Sequence, residues 1–250
     1  MNQLELGSKY KSPPSPKEVR RRIWRWVVAG LVFVVVLGVG LGVAGWFFFL
    51  KSDAAPRAAI RRTPIVDSPT STLDGTWSVH PGGADNFVGY RVTEKLPAAI
   101  AEQETTGRTN NVTATMVIHD TTISAVGVTA DLRDLKSDNS LRDSAIKSSG
   151  LESDTFPTGV FTLIDPILLR ELPQPGETIK TRASGKFTLH GVTRRVTIEL
   201  QGRWDGERIQ VVGSLPILFA DYDMTPPAVP AVASIDNKGE MEFQLFFQRT

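Results

Sequence analysis

The feature that most limits what this chain can fold into is the run from Trp26 to Leu50, 25 residues without a charge. As a helix rising about 1.5 Å per residue it extends roughly 37 Å, enough to cross a hydrocarbon core of about 30 Å with some tilt. A cleaved leader is the competing reading. Its apolar core runs about 7 to 15 residues and ends in small side chains. This run is longer and ends in "GWFFFL", so residues 23–50 are expected to form a retained transmembrane helix. Lys9, Lys11, Lys17, Arg20, Arg21, Arg22 and Arg25 precede it, and only Lys51, Arg57, Arg61 and Arg62 follow closely. That bias predicts a single-pass protein of the cell membrane, N-terminus cytoplasmic and the remainder extracytoplasmic. Trp24, Trp26 and Trp46 fall near the two expected interfaces. Gly38 and Gly42 form one G-x-x-x-G, a face on which a homodimer can pack.

The flanks read as unstructured. Residues 1–22 are polar, with "KSPPSPK" near the centre, and suggest a disordered cytoplasmic tail. Residues 51–71, rich in Ala, Pro, Arg and Ser, suggest a tether. Residues 72–250 carry the folded domain.

In that domain short alternating runs recur between Gly, Pro, Asn and Asp. In "EMEFQLFFQ", Met241, Phe243, Leu245 and Phe247 share a face. In "NVTATMVIH", Val112, Ala114, Met116 and Ile118 do so; in "FVGYRV", Val88, Tyr90 and Val92. With "TWSVH", "TISAVGVTADL", "GVFTLI", "ERIQVVGSLPI" and both arms of "GKFTLHGVTRRVTIEL", the pattern predicts eight or nine strands. "NSLRDSAIKSSG", Asn139 to Gly150, predicts one short helix, with a polar cap at its start and Gly at its end. Two packed sheets or one closed barrel both satisfy this all-β pattern.

The chemistry is sparse. A net charge of +1 gives no reason to expect a nucleic-acid partner. Without cysteine there is no disulfide, thiolate metal site or Cys nucleophile. His80, His119 and His190 lie far apart in sequence and read as polar residues at strand ends. Asp131, Asp134, Asp138 and Asp143 lack calcium-loop spacing and read as turn and cap residues. No nucleophile elbow, Walker loop or dinucleotide fingerprint occurs. No catalytic residue, metal ligand or cofactor is therefore expected.

"GKFTLHGVTRRVTIEL", Gly185 to Leu200, reads as a hairpin turning at His190 to Thr193, with Gly191 free to take φ > 0. Arg194, Arg195 and Glu199 should face outward. This hairpin resembles the most characteristic one of the YceI-like family. Trp77 to Val92, Val128 to Phe161 with Arg142-Asp143, and the closing "GEMEFQLFFQ" resemble that family in the same order. The resemblance implies a closed, eight-stranded antiparallel lipocalin-like barrel, exported, holding a polyisoprenoid in an apolar interior. On that reading the partner is an isoprenoid or other long-chain lipid. The candidate lining is Val88, Tyr90, Val92, Met116, Phe187, Leu189, Val196, Ile198, Phe243 and Leu245. The alternative is a barrel packed solid, a non-catalytic structural or partner-binding domain. Its recognition would fall to loops such as "DYDMTPPAVPAV".

Overall fold

The structure is a computed structural model that describes residues 16–45, 54–62, 64–65, 72–96, 102–229 and 232–250. The chain divides into two units, Met1–Phe49 and Leu50–Thr250. In the first, helix α1 spans Pro16–Gly45. Proline suits its first position, where an amide hydrogen would have no partner inside the helix. Within it, Trp24–Gly42 is long and apolar enough to cross a membrane. A leader helix can have the same length and composition. The expectations for residues 1–15 and 46–53, including Trp46, lie outside the described residues.

The second unit is built from β1 (Gly75–Val79), β2 (Phe87–Lys95), β3 (Glu102–Thr109), β4 (Val112–His119), β5 (Thr122–Asp131), β6 (Thr158–Leu163), β7 (Ile167–Leu168), β8 (Thr178–Leu189), β9 (Val192–Trp204), β10 (Arg208–Leu218) and β11 (Ser234–Arg249). The ladder runs β1-β4-β5-β6-β8-β9-β10-β11, and β11 pairs back onto β1, so eight antiparallel strands close a barrel. This is the architecture expected above. The long β11 serves two neighbours on one side. Its Gln248 and Arg249 pair with β1, and its Ser234–Gln244 stretch pairs with β2, which carries β3 as a hairpin.

Nine strands are those expected from alternation; β3 and β7 are additional. The β3 sequence "EQETTGRT" has no apolar residue to alternate, yet its Thr105, Thr106 and Thr109 are buried. β7 is two residues long and below the reach of any periodicity. The β8–β9 loop is tighter than the four-residue connection expected. Only His190 and Gly191 turn the chain, at φ +50° and +75°. Positive φ at both central residues matches the twist of the flanking strands. A histidine rarely takes that position. Here its ring lies tilted against Phe156, with centroids 4.2 Å apart, and its Nδ1 lies 3.1 Å from the Tyr222 carbonyl.

Helix α2 (Ser140–Ala145) is capped by the Asn139 side chain, which accepts from the Leu141 and Arg142 amides. From Ile146 to Gly150 it widens into a π turn. Asp131 and Asp143 act as local acceptors, for the backbone amides of Arg133 and Ser137. Trp77 is fully buried and donates its indole N–H to the Leu73 carbonyl at 2.9 Å.

Residues 54–62, inside the stretch expected to act as a tether, lie extended across the outer wall of the barrel. The Ala55 amide donates to Thr106 on β3, and its carbonyl accepts from Arg91 on β2. Arg57 pairs with Glu104 and with Glu240 on β11. Gln210 on β10 holds the Ala59 carbonyl and the Arg61 amide, and Arg203 on β9 reaches the Arg61 carbonyl.

Two predictions follow from this packing. An added Cβ at Gly185 would sit 2.4 Å from the Phe161 ring and 2.5 Å from the Thr162 carbonyl. Gly185→Ala is therefore expected to cost about 1–3 kcal/mol in chemical denaturation. The second concerns Glu240. Burial works to raise its carboxyl pKa, but hydrogen bonds from Ser214 and Arg57 outweigh this and hold it below the usual carboxylate range. Its pairing with Arg57 is thus complete above the ordinary carboxylate pKa of about 4.3 and lost as pH falls through the lowered value. Carboxyl NMR should place the Glu240 midpoint below that of free glutamate, and Arg57→Ala should raise it.

Candidate ligand-binding cavity

Because inward positions repeat every second residue, the apolar faces of β4, β5, β6, β8, β9, β10 and β11 meet inside the ring, and β2, paired with β11, adds to the wall. They enclose a cavity of about 220 Å³. At one end its wall includes Leu73, Ile167, Leu169, Pro173 and Trp204; at the other, Ile146, Leu151, Met224 and Pro227. Trp204 stands level with Phe247 through Ile209, and Tyr90 pairs with Met241. Six residues of β11 separate those levels, roughly 20 Å at about 3.4 Å per residue.

Nine of the ten lining residues expected from sequence stand in this wall: Val88, Tyr90, Val92, Met116, Phe187, Leu189, Ile198, Phe243 and Leu245. Val196 does not. It is partly buried and packs against the hydrophobic core without lining the cavity.

Polar groups enter this wall at few points. Glu94 is fully buried at the α2 end, and Arg142 from that helix grips it through Nε–Oε1 at 2.6 Å and Nη2–Oε2 at 3.0 Å. Arg142 also reaches Asp138 at 2.6 Å. Burial works to lower the Arg142 guanidinium, and its bonds to Glu94 outweigh that and raise it. Sequence reasoning treated Arg142 as a resemblance mark and did not place it inside. The only hint was an arginine on the third helical position after a cap. One donor on the wall finds no protein partner among the described residues, the Trp204 indole N–H; the Tyr90 hydroxyl faces Ser137. Burial pushes the Tyr90 phenol up, so it remains a neutral donor.

The α2 end is closed by the proline-rich loop after β10. Phe219–Tyr222 makes a 3-10 turn, and Tyr222 is buried edge-on to Phe187 with ring centroids 5.8 Å apart. Arg194 donates to the Asp221 carbonyl at 2.8 Å. Arg194, Arg195 and Glu199 are exposed, as the hairpin reading expected. His190 is buried at this closure, and His119 is exposed on the β4–β5 turn. With Asp74 and Asp120, His119 forms a group whose candidate ligand atoms lie within 4.8 Å of one another.

The Glu94–Arg142 pair yields a stability prediction. Removing one partner of a buried pair leaves an uncompensated charge. Arg142→Ala is expected to cost about 3–5 kcal/mol by denaturant titration. The double variant Glu94→Leu with Arg142→Met should recover most of that loss. Equal destabilisation by both variants would show that the pair is not what matters.

The fold has solved counterparts. A polyisoprenoid binding domain from Saccharophagus degradans, implicated in plant cell wall breakdown, superposes with a TM-score of 0.53 at 18% identity, covering 70% of this chain and 98% of that one. BcnA of Burkholderia cenocepacia gives a TM-score of 0.50 at 16% identity, covering 65% of this chain and 96% of that one. No match is found among the curated proteins. Residues 77–247 match the YceI-like domain model, which is well over half of the chain. This is a member of the YceI-like domain family.

Proposed function

We propose that this protein is a membrane-anchored, extracytoplasmic lipid-binding module that holds an isoprenoid-like chain inside its barrel. The observation that carries the reading is the cavity, whose wall is apolar along most of its length and runs from Trp204 to the α2 end. Burying apolar surface contributes about 25 cal/mol per Å², so a long hydrocarbon gains steadily with each unit it threads in. The Trp204 indole offers a hydrogen bond to a polar group on such a cargo. The Saccharophagus degradans counterpart, a polyisoprenoid binding domain, supports the same class of ligand. The apolar helix α1 supports a module held at a membrane, and the basic bias before Trp26 supports a cytoplasmic N-terminus. No reacting group is required: the work is binding, and the barrel supplies it by shape and apolar surface.

The test is native mass spectrometry of the full chain released from detergent, with identification of what leaves on denaturation. A defined extra mass of isoprenoid or long-chain lipid is expected. Ala183 lies on the wall and is almost fully buried. Ala183→Phe should remove that extra mass while leaving the far-ultraviolet circular dichroism of the barrel intact. A chain that stays empty after incubation with prenyl and acyl lipids would overturn the reading and leave a packed domain recognised through its loops.

A further inference from the structure

The outer wall beneath residues 54–62 is mostly polar and yet buried. Arg91, Gln210, Glu242 and Gln244 point away from the cavity, where solvent is the ordinary neighbour, but each is at most 4% exposed. They belong to β2, β10 and β11, so the strip runs across the strands rather than along one of them. Glu242 is held by Arg91 and by Arg108, the latter at 2.7 Å. Gln210 and Gln244 join side chain to side chain at 3.2 Å. The extended segment 54–62 lies across this strip, and the wall reads its main chain. Arg91 donates to the Ala55 carbonyl at 2.7 Å, and Arg108 to the Pro56 carbonyl. One amide side chain, Gln210, donates to the Ala59 carbonyl at 3.0 Å and accepts from the Arg61 amide at 2.9 Å. That is the pairing a neighbouring β-strand would offer. The strap adds specific side-chain contacts through Arg57 to Glu104 and Glu240, and through Arg61 to Asp85.

We propose that this outer strip is a docking groove for an extended peptide, and that residues 54–62 are its occupant in cis, a releasable latch. Its chemistry differs from that of the core. Most of the groups the strap covers are polar and can be satisfied by water once the strap leaves; Val212 and Phe246 are the apolar ones beneath it. Main-chain recognition needs only an extended backbone, as when a peptide adds to a sheet edge.

The chain has no cysteine, so two can be introduced cleanly. Nitroxide labels at Ala59→Cys on the strap and Thr115→Cys on the exposed face of β4 report docking in the full chain, held in lipid nanodiscs. A single narrow distance is expected. Arg57→Ala, which alters only the strap, and Gln210→Ala, which removes two main-chain bonds, should each broaden it while β4-to-β8 distances stay fixed. A broad distribution in the otherwise unaltered chain would show that the groove does not hold the strap. A narrow one that survives both substitutions combined would show a permanent structural element rather than a latch. Carbonate extraction of membranes carrying the same chain reports the anchor separately, so failure of the membrane reading is not mistaken for undocking.

Discussion

The barrel closes through two residue pairs, Trp77 with Arg249 and Ser78 with Gln248. Every other feature depends on that contact. An open eight-stranded sheet would expose two edges and one face of its apolar residues. Closure turns that face into the wall of a cavity. Trp77 secures it as the largest fully buried side chain, with its indole N–H bonded to Leu73 just ahead of β1. Arg249 adds hydrogen bonds to the Thr72 and Asp74 carbonyls. The first and last strands are thus tied by backbone pairing, a buried ring and an arginine, all within a few residues.

Closure also explains the division of labour along β11. One strand borders β10 over eleven pairs on one side and is shared between β1 and β2 on the other. The pairing with β2 slips between Ile235 and Gly239, where an irregularity bends the strand. Near that bend the ring meets the α2 segment and the proline-rich loop, the two pieces that close one end. There the interior holds its one strongly ionic contact among the described residues, Glu94 with Arg142, kept away from the remaining apolar wall.

Much of this was legible in the sequence because a strand encodes burial with a period of two. Val88, Tyr90 and Val92, or Phe243 and Leu245, announce a shared face whatever the tertiary fold, and closure makes that face the cavity wall. Val196 has the same local pattern and packs against the core without lining the cavity, a difference that alternation does not encode. β3 was invisible for the opposite reason: threonines do the work of apolar residues there, and alternation cannot register them. The strap was the least legible. Its sequence is rich in Ala, Pro and Arg and reads as a linker, because the wall binds its carbonyls and amides, which every residue carries. The complementary polar residues, Arg91, Gln210, Glu242 and Gln244, look in sequence like any solvent-facing row.

The apolar wall has one more consequence. Hydrogen bonds repeat at fixed spacings and lock a polymer in register; a hydrocarbon wall has no such teeth. A linear chain held there would feel nearly the same environment after sliding by one unit, so its position would be decided at its ends. If it holds such a chain as proposed, the barrel would gauge girth rather than length, admitting chains by cross-section and letting the surplus protrude.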